Sequence, residues 1–204
     1  MESRAHWDGV YGARTEAELS WHQDDPAISF ALMNKAGLNS ATSVIDIGGG
    51  TSRIVDRLLA AGLCDVSVLD LSENALLAAR QRLGPDSDKV TWITADVTRW
   101  RAPRTYDLWH DRAVFHFLTG SEDRAAYLRK LEKSLSPAGH AIIATFALDG
   151  PEKCSGLPVV RYSPDTLAAT LGEGFERVAH QHHEHRTPWG SPQAFQYSLF
   201  RKRP

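Results

Sequence analysis

The chain predicts an α/β fold in which a doubly wound, mostly parallel sheet carries helices on both faces and an antiparallel pair closes one edge. Three observations carry this expectation. Short β-rich runs alternate with amphipathic helical segments as far as Phe146. One apolar run ends in Gly48-Gly49-Gly50 and passes directly into a helical pattern. Beyond position 175, two extended runs are separated only by a loop containing Pro188, Gly190 and Pro192.

Residues 43–47 form the first compact apolar run, and 52–61 place Ile54, Val55, Leu58 and Leu59 on one helical face. A second strand spans 65–69. Ser72 then offers an N-cap for a helix whose Ala75, Leu76, Ala79 and Leu83 face inward. Strands three and four are expected over 90–94 and 106–110, and a helix over 122–135 buries Tyr127, Leu128, Leu131 and Leu135. Pro137-Ala138-Gly139 reads as a turn before a fifth strand at 140–146, and 175–185 with 193–200 form the antiparallel pair. About forty residues precede the first strand, with helices expected near 3–11 and 26–36. They have no place in a minimal sheet and read as a lid over the ligand crevice or as packing on its edge.

Composition sets the class. Of 204 residues, 42% are hydrophobic and 24% charged, enough apolar surface to outweigh chain entropy in one domain spanning 1–204. Within it, 1–40 read as the helical lid and 41–204 as the core. The longest apolar stretches fall far short of the roughly 20 residues that cross a bilayer. Residues 1–12 lack the apolar run of a secretory signal. Two cysteines, Cys64 and Cys154, make no disulfide framework and point to the reducing cytoplasm. Net charge is −2, and the only basic block is Arg201-Lys202-Arg203, so neither a nucleic-acid nor a membrane partner is expected.

The densest chemical signal is Val44-Ile45-Asp46-Ile47-Gly48-Gly49-Gly50-Thr51-Ser52. Glycines there permit a tight turn and close backbone approach to a ligand beside the N–H groups of a helix start. Arg53 stands where the dinucleotide fingerprint needs its third glycine, and the Gly-Lys-Ser/Thr of a P-loop is missing, so NAD and ATP are disfavoured. Asp70 ends the second strand twenty residues after Gly50, where a carboxylate can accept from both ribose hydroxyls. Asp96, flanked by Ala95 and Val97, ends the third strand, where it can accept from an adenine amine. Either aspartate alone can equally cap a helix. Together, beside a glycine turn at one sheet edge, they read as a nucleoside site.

Asp46-x-Gly48-x-Gly50 with Asp70 and Asp96 resembles the class I S-adenosylmethionine-dependent methyltransferases from Val44 through the last strand. The resemblance implies a Rossmann-like, seven-stranded sheet with the seventh strand antiparallel, and S-adenosyl-L-methionine as cofactor. It places Gly48, Gly49 and Gly50 under the methionine part, with Asp46, Arg53 and Trp21 close by. Asp70 and Leu71 would lie at the ribose, Asp96 and Val97 at the adenine. Ser52 stands where the family often has another glycine. His6-Trp7-Asp8-x-x-Tyr11, Ser20-Trp21-His22-Gln23 and Gly50-Thr51-Ser52-Arg53 look like the lid and turn of elongation-factor-type lysine methyltransferases. That group commonly has a lysine-glycine-threonine run where this chain has His110 to His116, so its protein substrate is not carried over.

Methyl transfer is an in-line displacement that needs nucleophile and methyl at attack distance in a dry pocket. Asp111, at the end of strand four, is the favoured acid–base candidate, with His110 and His116 beside it. Trp7, Tyr11, His22, Arg112 and Cys154 are the candidates for the acceptor side, Cys154 being either a soft ligand or a small buried hydrophobe. Alternation on a strand puts His183 and His185 on one face and His180 and His182 on the other, so no metal site is expected. The expected activity is methyl transfer to a small molecule. A lysine of a protein, or cofactor binding without catalysis, is the alternative.

Overall fold

The computed structural model describes residues 4–204. Before the first strand come α1 (Arg4–Ala13), a 3-10 turn (Glu16–Glu18) and α2 (Ala27–Lys35); α1 lies over the strand ends, whereas α2 packs on the sheet through Leu32 and Met33, and the expected helix start at Ser3 lies outside the described residues. The core runs β1 (Val44–Ile47), α3 (Ile54–Ala60), β2 (Val66–Asp70), α4 (Glu73–Leu83), β3 (Val90–Thr94), β4 (Tyr106–Arg112), α5 (Ser121–Ser134) and β5 (Leu135–Phe146). A two-stranded flap of β6 (Lys153–Cys154) and β7 (Leu157–Pro158) follows, then α6 (Pro164–Leu171), β8 (Phe175–Arg186) and β9 (Pro192–Lys202).

The sheet has seven strands in the order β3-β2-β1-β4-β5-β9-β8. Pairs among β1 to β5 are parallel, whereas β9 runs antiparallel to both β5 and β8. The resemblance implied this arrangement. The order reverses between β1 and β4, and such a switch point opens a crevice beyond the strand ends where ligands bind. Alternation divides the core. Val44 and Leu108 join Leu32, Ile54 and Leu58 on the face carrying α2, α3 and α4. Ile45, Ile47 and Trp109 join Tyr127, Leu131 and Leu167 on the face of α5 and α6.

One expectation is corrected. The fifth strand begins at Leu135, and the Pro137-Ala138-Gly139 turn lies inside it as a loop-out. Residues 136–139 stand opposite Asp107 alone, between the pairs Tyr106–Leu135 and Leu108–His140. Ala138 takes a left-handed φ of 58° there. α6 adds a helix between the flap and β8. Its signature is local: Ser163 caps it, accepting from Thr166 N (3.1 Å), and Pro164 occupies the first turn.

Candidate functional site

The strand ends of β1, β2 and β4 and the lid enclose two adjoining cavities. The first opens to solvent, with about 740 Å³ of empty space when the adjoining solvent is included. Leu69, Asp70, Leu71, Ala95 and Val97 form its wall over β2 and β3. Arg112, Val114, Phe117 and Cys154 form the opposite wall, and Trp7, Tyr11 and Trp21 the roof. The second cavity lies over the glycine turn and is lined by Asp46, Gly48, Gly49, Thr51 and Ser52, with His22, His110 and Arg112 across from them.

The roof is an aromatic cluster. Trp7 meets Trp21 and Phe117 edge-on at 5.9 and 5.2 Å, and Tyr11 meets Trp21 at 6.1 Å. Its latches are polar. Ser72 Oγ accepts from Ala75 N as the cap of α4 and donates to Asp8 Oδ1 of α1 (2.6 Å). Asn74 Nδ2 donates to the Asp8 carbonyl (3.1 Å). Glu16 accepts from Arg53 Nε (2.6 Å) and Arg82 Nη1 (2.8 Å). Arg53 is thus engaged in holding the lid and is not part of either cavity lining.

Asp70 is 6% exposed, and Ser72 N donates to its Oδ1 (2.8 Å). Burial, above all, and the neighbouring Asp46 carboxylate push its pKa up to about 7. Gly50, with φ of 49°, lies beneath Tyr11, whose hydroxyl is 2.6 Å from where a Cβ would stand. Burial and then Asp70 raise the Tyr11 pKa well above its ordinary value, keeping the phenol protonated. A Cβ on Gly49 would lie 2.8 Å from Asp46 Oδ2. His110 Nδ1–H donates to Asp46 Oδ1 (2.6 Å), while Oδ2 is buried with no partner among the described residues. An unpartnered buried carboxylate oxygen under a glycine turn fits a ligand ammonium group, and Asp70 fits a vicinal diol. The arrangement can hold a nucleoside joined to an amino acid.

The acid–base candidates fall elsewhere. His110 and Asp111 are consecutive on β4 and point to opposite faces. His110 reaches the second cavity, but Asp46 engages one ring nitrogen and Ser29 Oγ lies 2.9 Å from the other. Asp111 is fully buried on the α5 face, where it accepts from Val114 N (2.9 Å), Phe115 N (3.1 Å) and the Tyr127 hydroxyl (2.6 Å). It caps the 3-10 turn Phe115–Phe117 and does not face the crevice, which corrects the expectation from its strand-end position. His116 is likewise sealed from both cavities. Phe146 N donates to its Nδ1 (3.3 Å), and burial pushes its pKa down to about 3, so it stays neutral. Asp96 Oδ1 accepts from Thr98 N (2.8 Å) and Thr98 Oγ1 (2.6 Å), so the carboxylate caps a turn between the cavity-lining Ala95 and Val97.

Of the acceptor-side candidates, Trp7, Tyr11, Arg112 and Cys154 meet at the first cavity, and His22 lines the second. Burial pushes the Cys154 thiol up to about 12. Sequence reasoning missed Phe117, Val114 and Ala113, which follow β4; Ala113 lines the cavity with a left-handed φ of 71° that no local signal announces. Among the described residues no group of three or more metal-capable side chains converges, and no helix is long and apolar enough to cross a membrane.

Residues 44–139 match a family described as a methyltransferase domain. A malonyl-[acyl-carrier protein] O-methyltransferase of Priestia megaterium is 27% identical over 109 residues, 53% of this chain and 38% of that protein. The N-terminal Xaa-Pro-Lys N-methyltransferase 1 of Homo sapiens is 30% identical over 112 residues, 54% of this chain and 48% of that protein. The matches thus span less than half the length of these relatives. Among solved structures, Burkholderia thailandensis 1,6-didemethyltoxoflavin-N1-methyltransferase, with that compound and S-adenosylhomocysteine bound, superposes with a TM-score of 0.70. It is 21% identical, over 98% of this chain and 84% of that one.

Proposed function

We propose that this chain is a class I S-adenosylmethionine-dependent methyltransferase and that it transfers a methyl group from that cofactor to a small molecule. One observation carries the reading: two adjoining cavities bring the buried Asp70 carboxylate and the unpartnered Asp46 Oδ2 beneath the glycine turn to one edge of the sheet. These are the complementary groups for the two ends of an adenosyl amino acid. When bound, the cofactor supplies an electrophilic methyl group on a sulfonium.

The chain's own residues have three tasks in this reading. Asp70, oriented by Ser72 N, would accept from the ribose hydroxyls, and Asp46, oriented by His110, would accept from the α-ammonium. Trp7, Tyr11, Trp21 and Phe117 exclude water, which favours displacement of a charged leaving centre. The aromatic faces also suit a sulfonium charge. Among the described residues of the acceptor side, His116 and Asp111 are sealed away and Cys154 holds its proton, so none of these is a ready base. The chemistry therefore rests on positioning, and the acceptor arrives with its nucleophilic lone pair available.

The enclosed, aromatic acceptor wall and the latched lid favour a small acceptor over a protein segment. Release of S-adenosylhomocysteine from S-adenosylmethionine, measured over a panel of small amines, phenols and thiols and over lysine peptides, tests this. Turnover confined to the small compounds is expected; turnover confined to peptides would refute the small-acceptor reading.

A further inference from the structure

Arg112 ends β4 on the side of the switch point away from the nucleoside wall. Its Nε donates to the Tyr197 hydroxyl (3.0 Å), its Nη1 to the Trp21 carbonyl (2.9 Å), and its guanidinium stacks 4.8 Å over the Phe195 ring. These partners are all neutral. The remaining nitrogen, Nη2, is buried and has no hydrogen-bond partner among the described residues. Arg112 as a whole is only partly buried, but a buried donor left unmade costs free energy. On its own wall no titrating side chain supplies an anion, and the carboxylates that line the same cavities, Asp46 and Asp70, belong to β1 and β2. The Cys154 thiol is held protonated by burial, and His116, His183 and His185 are all pushed down, first by burial and then by Arg112 itself.

Arg112 lines both cavities, so its place admits two partners, the acceptor and the amino-acid end of the cofactor. The sheet order places β2 and β3 on one side of the glycine turn and β4, β5 and β9 on the other. Asp70 belongs to the first side, whereas Arg112, Tyr197, Phe195 and Cys154 belong to the second. A ligand whose nucleoside lies over β2 and whose amino-acid end lies over the glycine turn leaves this second side for the acceptor. The wall there is otherwise apolar and aromatic, so one cation sets its charge preference.

We infer that Arg112 Nη2 is the anion subsite for the acceptor, so that the acceptor carries a carboxylate or comparable oxyanion on an otherwise apolar body. This rests on the proposed function and names the class of its substrate. Arg112 is a specificity residue here, pre-oriented by Tyr197 and Trp21 so that binding orders little beyond the ligand.

Calorimetry on the full chain loaded with S-adenosylhomocysteine tests it, using matched pairs: benzoate with benzamide, 4-hydroxybenzoate with its methyl ester, and indole-3-acetate with indole-3-acetamide. At least one acid should bind about tenfold or more tighter than its neutral partner, the scale of one charge-assisted hydrogen bond. Arg112→Gln should abolish that preference, and Arg112→Lys should keep part of it. Equal binding within every pair, no binding by any acid, or a preference retained in Arg112→Gln would overturn the subsite; the wild-type comparison decides by itself should the variants not fold. A second arm compares S-adenosylhomocysteine with 5′-methylthioadenosine, which lacks the amino-acid end. If Arg112→Gln weakens only the former, by about tenfold, the anion is the cofactor's own carboxylate and the inference is overturned. S-adenosylhomocysteine binding without acid preference removes the subsite alone. No S-adenosylhomocysteine binding at all removes the functional reading and the subsite with it.

Discussion

The crevice has two halves that are built in different ways. Over β1, β2 and β3, the polar groups stand at or next to the strand ends that position them: Asp46 and the glycine turn on β1, Asp70 on β2, Asp96 just past β3. Over β4, β5 and β9, the wall is gathered from distant stretches: Trp21 before α2, Arg112 on β4, Cys154 on the flap, and Tyr197 on β9. The first half follows from backbone topology, because parallel strands deliver their ends to one edge. The second depends on side-chain packing between elements far apart in sequence. A local half should fail at single residues, and a gathered half should lose selectivity before it loses binding.

The largest effect is expected in the local half. Asp70→Ala removes two charge-assisted hydrogen bonds worth about 1.5–3 kcal/mol each, so S-adenosylhomocysteine affinity should fall by roughly 10²-fold or more in a folded protein. Calorimetry checks this, and unchanged affinity would break the assignment of the diol. Next comes Asp111→Ala, which strands Val114 N, Phe115 N and the Tyr127 hydroxyl. Stability to urea should drop by about 2–4 kcal/mol, given about 1–3 kcal/mol for a buried donor left unmade. Turnover per folded molecule should be kept. A large loss of kcat with unchanged stability would return Asp111 to the chemistry.

A third expectation is a pH dependence with a definite sign. Asp70 titrates at about 7 in the folded chain against an ordinary 3.8. Between these values the folded carboxyl binds a proton that the unfolded one does not, so ligand-free stability falls as pH rises through that window. A diol is held by the ionised form. S-adenosylhomocysteine affinity should therefore rise with pH, by up to about tenfold per unit below 7, and level off above it. Titration in buffers of different ionisation enthalpy should show proton release near neutrality. An affinity flat from pH 5 to 8 would contradict this.

Much of this contrast was open to a reader of the sequence, and the failures have physical causes. The apolar run into Gly48-Gly49-Gly50 and the strand-end Asp70 are local signals, and local signals determined the sheet and the cavity wall over β2. His110 and Asp111 show the limit. Both stand at the end of β4, but a strand's period of two sends one toward Asp46 and the other toward Tyr127. Which one reaches the crevice depends on which face carries α5. Arg53 follows the glycine turn directly, yet its partner Glu16 lies 37 positions away. The left-handed Ala113 and the loop-out at 136–139 are enforced by tertiary pairing, which propensity does not encode.

Smaller effects sharpen the comparison at the lid and the flap. Glu16→Ala cuts the ties to Arg53 and Arg82 and should weaken S-adenosylhomocysteine binding only a few-fold, since partly exposed ion pairs contribute about 1 kcal/mol or less. The smallest concerns Cys154. Its thiol is buried and pushed up to about 12, whereas Cys64 is exposed. Iodoacetamide at pH 8 should label Cys64 and spare Cys154 until the chain unfolds, as peptide mass mapping would show. Early labelling of Cys154 would mean that the gathered wall opens freely.

The two-half account is tested most directly by a crystal structure of the chain with S-adenosylhomocysteine bound. The ribose hydroxyls should lie within hydrogen-bond distance of Asp70, and the α-ammonium should meet Asp46 Oδ2 under Gly49. The sulfur should face the wall of Arg112, Phe117 and Cys154, with that side left clear for the acceptor. A nucleoside seated over β4 and β5, or an Asp46 Oδ2 still without a partner, would contradict the account.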